Sequence, residues 1–383
     1  MTDARVRLPQ SGLAAMRLGV EFGSADEFAD VVERAIARGG ERGATLVAKL
    51  DLGDISIHLP RVDGPCWNSV PLFHLHRGET PTDADWATTS EVLEKLERYR
   101  RPMRIYLSVD MEGLAGVAHA HQVSFGPSVD RVDYDRSRAL MAGETNAAIE
   151  EAINQGATEV VVNDSHWMMR NLRAEDLVAG SRLIVGDKPM SMTQGVGEEG
   201  DGAFDGAAFI GYHAGAGSMH GVIAHTYSSA TVQELRVHGV RHNEAGINAI
   251  RLGHFGVPVI LVAGDDALAG EVAELLPWAE RVVVKRAIGY SVADSMTPGA
   301  AQDAIKSGMA AAIGRIGEMH PYQPALPLEG EVDFRLPGMA AHAAVLPGVE
   351  RVGPRTVAFG APDGDAFFRL FVVLFRLAGI PAA

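Results

Sequence analysis

A single cysteine, Cys66, stands among the 383 residues. That excludes an intramolecular disulfide and any thiolate-rich zinc site, so a metal in this chain has to be held by imidazoles and carboxylates. Basic residues are also short: 34 Lys and Arg face 49 Asp and Glu, a formal charge of −15. Nucleic acids and anionic membranes are bound by clustered Lys and Arg, and this balance argues against either as a partner. No uninterrupted apolar run approaches the ~20 residues that span a bilayer. The N-terminus, MTDARVRLPQ, lacks a basic run followed by an apolar core, which predicts no secretory leader and a cytoplasmic protein. Although aromatics are only 6%, the chain is 47% hydrophobic and 22% charged, the balance of a globular protein able to bury a full core.

The length suits two domains better than one, and the texture changes near residue 102. Residues 1–102 are predicted as a small α+β unit: a helix over 25–38, an alternating stretch over 45–59, and a loop rich in Gly, Pro and His over 60–83. A second helix follows, with Thr88 and Glu91 spaced as a capping box and Arg100, Arg101 and Pro102 at its end. From Met103 onward, short β-branched runs alternate with helical segments. Strands are predicted at 104–110, 159–164, 181–186, 207–212, 258–264 and 281–285, and helices at 131–155, 243–254, 266–276 and 299–313. Near-continuous apolar strands between helices predict an α/β domain over 103–383, a mostly parallel sheet with helices on both faces. The segment 231–243 alternates around His238-Gly239 and reads as a hairpin. A last helix over 365–378, DAFFRLFVVLFRLA, is apolar nearly all round, so it is either buried in the core or packed on another subunit.

Three of the predicted strands end in polar residues: Asp110-Met111-Glu112-Gly113, Asn163-Asp164-Ser165-His166 and Gly211-Tyr212-His213-Ala214. Ligands of open α/β sheets bind beyond the carboxyl ends of strands. Side chains alternate along a strand, so Asp110 and Glu112 project the same way if the strand runs that far, and Gly113 lets the backbone turn away. Two carboxylates and two imidazoles on one edge suit zinc, and manganese less well. Taken singly, an Asp ending a strand is commonly a turn or cap residue, and a strand-end His a hydrogen-bonded surface residue. Together, in a chain without useful cysteines, they point to a metal site. The His74-x-His76 pair has ligand spacing but no nearby acid, and reads as an exposed loop.

SVDMEG, VNDSH, GYHA and NEAGINA (243–249), in this order and with VPVILVAGDD at 257–266, resemble the signatures of the DppA-type zinc D-aminopeptidases. The likeness runs from Met103 to near the C-terminus. It implies a two-zinc site on an α/β domain, assembly into a self-compartmentalising ring decamer, and release of N-terminal residues, notably D-amino acids, from short peptides. Asp110 resembles the carboxylate that bridges the metals, Glu112 and His166 the ligands of one zinc, and His213 and Glu244 those of the other. By residue type alone Glu244 reads as an acid favoured in the first turn of a helix. His225, in VIAHTY, resembles the histidine acting in the chemistry, and Asn163 and Asn248 resemble groups that orient ligands or substrate. Two departures bear on substrate choice: AGAGSMHGVIA (214–224) is one residue longer than in the family and has Gly215 in place of an Arg.

The expected activity is that of a zinc aminopeptidase on short peptides or amino-acid amides. A two-metal amidase acting on a non-peptide amide is one rival. A catalytically silent, ring-forming binding protein is another, though its cheapest sign, a lost ligand, is missing. A phosphodiester-cleaving enzyme would need an Arg or Lys cluster that the chain lacks. Residues 1–102 match nothing in the family and enter the first strand at the end away from the metal edge, roughly 20 Å off. They are expected to shape assembly or access and to supply no catalytic group.

Overall fold

The computed structural model describes residues 103–126, 131–197 and 204–380, together with the backbone of 49–51, 54–60 and 67–74. The chain divides into two compact units, Met1–Pro102 and Met103–Ala383. In the first, β1 (Lys49–Asp51), β2 (Asp54–Pro60) and β3 (Trp67–His74) form an antiparallel sheet in the order β1-β2-β3. The alternating stretch is therefore two paired strands, and β3 occupies part of the predicted 60–83 loop. Pro71 disguised it: proline cannot donate to a ladder, and a strand at the edge of the described sheet tolerates that. The predicted helices at 25–38 and beyond Thr88 lie outside the described residues, as does His76.

The second unit begins with β4 (Met103–Val109), α1 (Ala120–Val123), α2 (Arg131–Asn154), β5 (Ala157–Asp164), β6 (Ser181–Ile184) and β7 (Gly206–Tyr212). The hairpin β8 (Val232–Val237) and β9 (Val240–Arg241) precedes α3 (Glu244–His254), β10 (Val259–Asp265) and α4 (Asp266–Leu275). Then come β11 (Glu280–Gly289), β12 (Val292–Ser295) and α5 (Pro298–Gly314). The chain closes with β13 (Leu328–Phe334), α6 (Pro337–Ala343), β14 (Val349–Arg351), β15 (Thr356–Ala361) and α7 (Gly364–Gly379).

Seven strands make the main sheet in the order β12-β11-β10-β7-β4-β5-β6, parallel except for the β12 edge. The chain enters at β4, runs outward through β5 and β6, and returns to β7 on the other side of β4. The switch in direction between β4 and β7 leaves a crevice at their carboxyl ends. Alternation along each strand feeds two cores. Ile105, Leu107, Val109, Val160, Val162 and Ile210 pack with Met141 and Ile149 of α2 and Ile305 and Met309 of α5. Tyr106, Val161, Ala207 and Phe209 pack on the opposite face with Ala245, Ala249 and Leu252 of α3. Helices thus cover both faces, and the strands read as apolar runs for that reason.

A second, antiparallel sheet runs β14-β15-β13-β8-β9. Its hairpin turns on His238 and Gly239, both at positive φ (49° and 77°) as a tight two-residue turn demands. α7 lies over this sheet, with Phe367, Phe368, Phe371, Val372 and Leu374 buried among Val332, Phe334 and Val357. The oily face of the 365–378 helix is therefore used inside the chain, the first of the two alternatives that its sequence left open. Arg369 and Arg376 are on its exposed side. Among the described residues no helix is long and apolar enough to cross a membrane.

Candidate metal centre

β4 stops at Val109, short of the predicted 110, and residues 110–113 turn away from it. The turn is laced to the end of β7: Asp110 N donates to Ile210 O at 2.8 Å and Gly113 N to Gly211 O at 2.7 Å. A Cβ on Gly113 would stand 1.8 Å from Tyr212 O, and one on Gly211 2.2 Å from Asp110 O, so both close approaches require glycine. Asp110 and Glu112 therefore converge through a tight turn and not through strand alternation.

Both carboxylates are buried, as are His166, His213 and Glu244. Asp110 divides its oxygens between two imidazoles, with Oδ1 at 3.0 Å from His166 Nδ1 and Oδ2 at 3.5 Å from His213 Nε2. Glu112 Oε2 is 2.9 Å from His166 Nδ1. Glu244 opens α3 beside its cap Asn243, whose side chain accepts from Gly246 N. Its Oε1 lies 3.6 Å from His213 Nε2 and 3.9 Å from His225 Nε2, and accepts from Tyr227 N at 2.6 Å.

Each histidine has its second nitrogen tied to a backbone carbonyl, which can only accept. His166 Nε2 donates to Val123 O (2.6 Å), His213 Nδ1 to Ala214 O (2.9 Å) and His225 Nδ1 to Ile223 O (2.8 Å). The other three nitrogens then face carboxylates, the orientation in which outer hydrogen bonds hold metal-ligating histidines. His225 stacks on His213, centroids 4.2 Å apart and planes 11° off parallel.

The clustered carboxylates favour positive charge between them. Burial opposes charge on His213, yet Glu244, Asp110 and Glu112 raise its pKa to about 10. His166 is likewise raised well above its ordinary value, burial being overcome by Glu112 and Asp110. Burial lifts Glu244 to about 7, against the pull of His213. His225 is instead lowered, by burial first and by His213 second. His213 Nε2 and Glu112 Oε2 are buried and make no hydrogen bond among the described residues. The ligand atoms of Asp110, Glu112 and His213, and those of His213, His225 and Glu244, form two groups each within 4.8 Å. Imidazole nitrogens and carboxylate oxygens with no thiolate fit zinc.

The centre opens on a cleft of about 820 Å³ lined by Asp110, Glu112, His166, His225 and Glu244. Trp167, Met169, Ser191, Ile223 and Tyr227 line it too, all at positive φ between 42° and 60°. Backbone strain of this kind persists where surrounding structure over-determines it, commonly around functional sites. Asn163 and Asn248 are fully buried and outside that lining. They belong to a polar chain beneath it: Asn163 Nδ2 donates to Ser165 Oγ (3.1 Å), Ser165 meets Ser108 (2.6 Å), and Ser108 meets Tyr212 OH (2.6 Å). Asn248 Nδ2 donates to Tyr212 OH at 2.9 Å, and Tyr227 OH donates to Asn248 Oδ1.

The sequence model of the D-aminopeptidase family matches residues 103–373. The chain belongs to that family. A D-aminopeptidase of Bacillus subtilis (strain 168) is 37% identical over 286 residues, 72% of this chain and 98% of that protein. The solved structure of the Zn-dependent D-aminopeptidase DppA from Bacillus subtilis, a self-compartmentalizing protease, superposes with a TM-score of 0.67 at 36% identity, covering 72% of this chain and 98% of that one. Within this D-aminopeptidase fold, sequence reasoning overlooked the groups behind the ligands. Lys285 carried one signal, a lysine inside an apolar strand, whereas Lys188 in its loop carried none.

Glu144 of α2 is another such group: buried, with Oε1 accepting from Ala115 N at 2.8 Å. Burial pushes its carboxyl from 4.5 up to about 7, against the pull of Ala115 N and Lys285. Its folded value exceeds the unfolded one, so its contribution to stability is full below pH 4.5 and lost as pH rises through about 7. Glu144→Gln removes that loss. Melting curves of metal-free protein should show the variant gaining on wild type between pH 5 and 8, and parallel curves would refute the assignment.

Proposed function

We propose that this chain is a zinc-dependent aminopeptidase that releases N-terminal residues from short peptides. The observation that carries the reading is Asp110, whose two oxygens face two imidazoles at 3.0 and 3.5 Å. Zinc would be held by Glu112 and His166 at one position and by His213 and Glu244 at another, with Asp110 the ligand common to both. Bound there, zinc supplies Lewis acidity for the scissile carbonyl and lowers the pKa of water. His225 presents Nε2 to the cleft and moves a proton to the leaving amine. Asn163 and Asn248 act through the buried polar chain by fixing Ser165, Tyr212 and Tyr227.

The family membership and the intact ligand set support this reading over the amidase and binding-protein rivals. The self-compartmentalizing relative supports a ring homo-oligomer, a decamer in the fullest form of the reading, and we place the protein in the cytoplasm. Residues 1–102 lie outside the family match and receive no catalytic role. Metal analysis of the purified protein, with release assays on D- and L-aminoacyl amides and dipeptides, tests the whole. Protein that holds zinc yet releases no amino acid from any of them would overturn it.

Arg376 bears on the substrate's far end. It lines the same cleft, is exposed, donates from Nη2 to Lys188 O at 3.0 Å, and makes no ion pair among the described residues. It therefore offers donors to a peptide's terminal carboxylate. Arg376→Met should lower the kcat/KM ratio of a dipeptide to its C-terminal amide by about 10-fold or more, the scale of a hydrogen bond to a charged group. An unchanged ratio would remove Arg376 from substrate recognition.

A further inference from the structure

Two buried lysines stand behind the turns that carry Glu112 and His166. Lys285 of β11 is 2% exposed, and its Nζ donates to three carbonyls: Glu112 O, Leu114 O at 3.1 Å and Val117 O at 2.6 Å. Lys188 is 6% exposed, and its Nζ donates to Asp164 O and to Asn163 Oδ1 at 2.6 Å, with Ile184 O at 3.5 Å. An ammonium has three donors and no acceptor. Lys285 has all of its donors committed to backbone oxygens, and Lys188 divides its donors among Asp164 O and Asn163 Oδ1 of the VNDSH segment and Ile184 O at the end of β6. Neither has a donor left for a substrate, although Lys188 borders the cleft.

Burying an ammonium is unfavourable unless its hydrogen bonds compensate. Desolvation brings both groups down to about 8. What offsets that cost is the gathering of carbonyl oxygens that would otherwise repel one another in tight turns. The cation fixes the turn, and the turn fixes the direction of the ligand it carries.

The His213 and Glu244 side is held differently. Gly215 N donates to Glu271 Oε2 at 2.9 Å, Ala216 N to Thr226 Oγ1 at 3.0 Å, and Tyr227 N to Glu244 Oε1 at 2.6 Å. Among the described residues no lysine donates to either ligand or to the turn after His213.

We propose that Lys285 and Lys188 are positioning residues for one zinc ion, the one held by Glu112 and His166, and leave the ion of His213 and Glu244 to other supports. The inference rests on the two-ion reading given above. Its test begins with wild type, loaded with zinc and titrated with a chromophoric chelator to give stoichiometry and stepwise affinities. Two ions per chain are expected, and fewer would overturn the two-ion reading before any variant is made.

Lys285→Met and Lys188→Met, made separately, should each keep one ion near wild-type affinity while the other weakens about 10- to 100-fold, the usual effect of removing a group that orients a ligand. Melting curves of the metal-free variants report the fold independently of zinc. If one variant does not fold, the other reads the same loss. Retention of both ions at wild-type affinity, or weakening of both together, would overturn the proposal, because a merely structural lysine does not choose between ions.

Discussion

Asp110→Ala is expected to abolish turnover and to leave the protein without either zinc ion at concentrations that saturate wild type. Among the described residues no other carboxylate lies within ion-pair distance of both imidazoles: His166 Nδ1 lies 3.0 Å from Oδ1 and His213 Nε2 3.5 Å from Oδ2. On the proposed two-ion reading, its removal takes one ligand from each ion at once and deletes one of the three negative charges of the centre. The backbone should survive, because the turn is held by Asp110 N on Ile210 O and by Gly113 N on Gly211 O, not by the carboxylate alone. The carboxylate does accept from Met111 N at 2.8 Å, so some local stability is lost as well. Asp110→Asn separates the two effects, since it keeps the shape and an acceptor for Met111 N while removing the charge. The asparagine variant should melt nearer to wild type in the absence of metal and yet remain inactive. By contrast, His213→Ala should lose mainly one ion. Elemental analysis after gel filtration, alongside release of an amino acid from a dipeptide, checks all three. Two ions and near-normal turnover in Asp110→Ala would refute the bridging role.

The site was legible because its ligands close runs of sequence that are themselves easy to read. Val160, Val161 and Val162 can hardly be anything but a buried strand, so His166 shortly after them has to emerge at the sheet's carboxyl edge. The same holds for Tyr106 to Val109 before Asp110 and for Phe209 to Tyr212 before His213. Glu244 was hidden by physics that favours an acid in the first turn of any helix. Only likeness to a family drew it out, and the structure then placed its Oε1 3.6 Å from His213 Nε2.

Of the second sheet only the β8–β9 hairpin was legible. β13 (LEGEVDF) and β15 (TVAFGA) have glycine within them, and their alternation is that of strands with one polar face. Missing them left α7 with no surface to cover, so its phenylalanines read equally as core and as a subunit contact. Once Val332, Phe334 and Val357 are in place, that apolar face is satisfied within the chain. The case for a homo-oligomer then rests on the relative and no longer on this helix.

His225→Ala is expected to keep both zinc ions and to lose about 10²- to 10⁴-fold in rate, the range for a general acid–base group. The live rival is that His225 is itself a ligand, since His213, His225 and Glu244 place their donor atoms within 4.8 Å of one another. Exposure separates the two histidines. His213 keeps 1% of its side-chain surface and His225 keeps 17%, and of the pair only His225 lines the cleft. Distance agrees, because Glu244 Oε1 is 3.6 Å from His213 Nε2 and 3.9 Å from His225 Nε2. The hydrogen bond from Nδ1 to Ile223 O and the stack on His213 fix the ring with Nε2 bare. Burial and the neighbouring His213 both lower its pKa, which keeps that nitrogen free to accept a proton near neutral pH. A proton carrier has to reach the substrate and return its proton to it, which a side chain open to the cleft can do and an enclosed ligand cannot. Stepwise zinc affinities and single-turnover rates on a dipeptide decide the matter. Unchanged affinities with slowed chemistry identify the proton carrier, whereas zinc and rate falling together would make His225 a ligand.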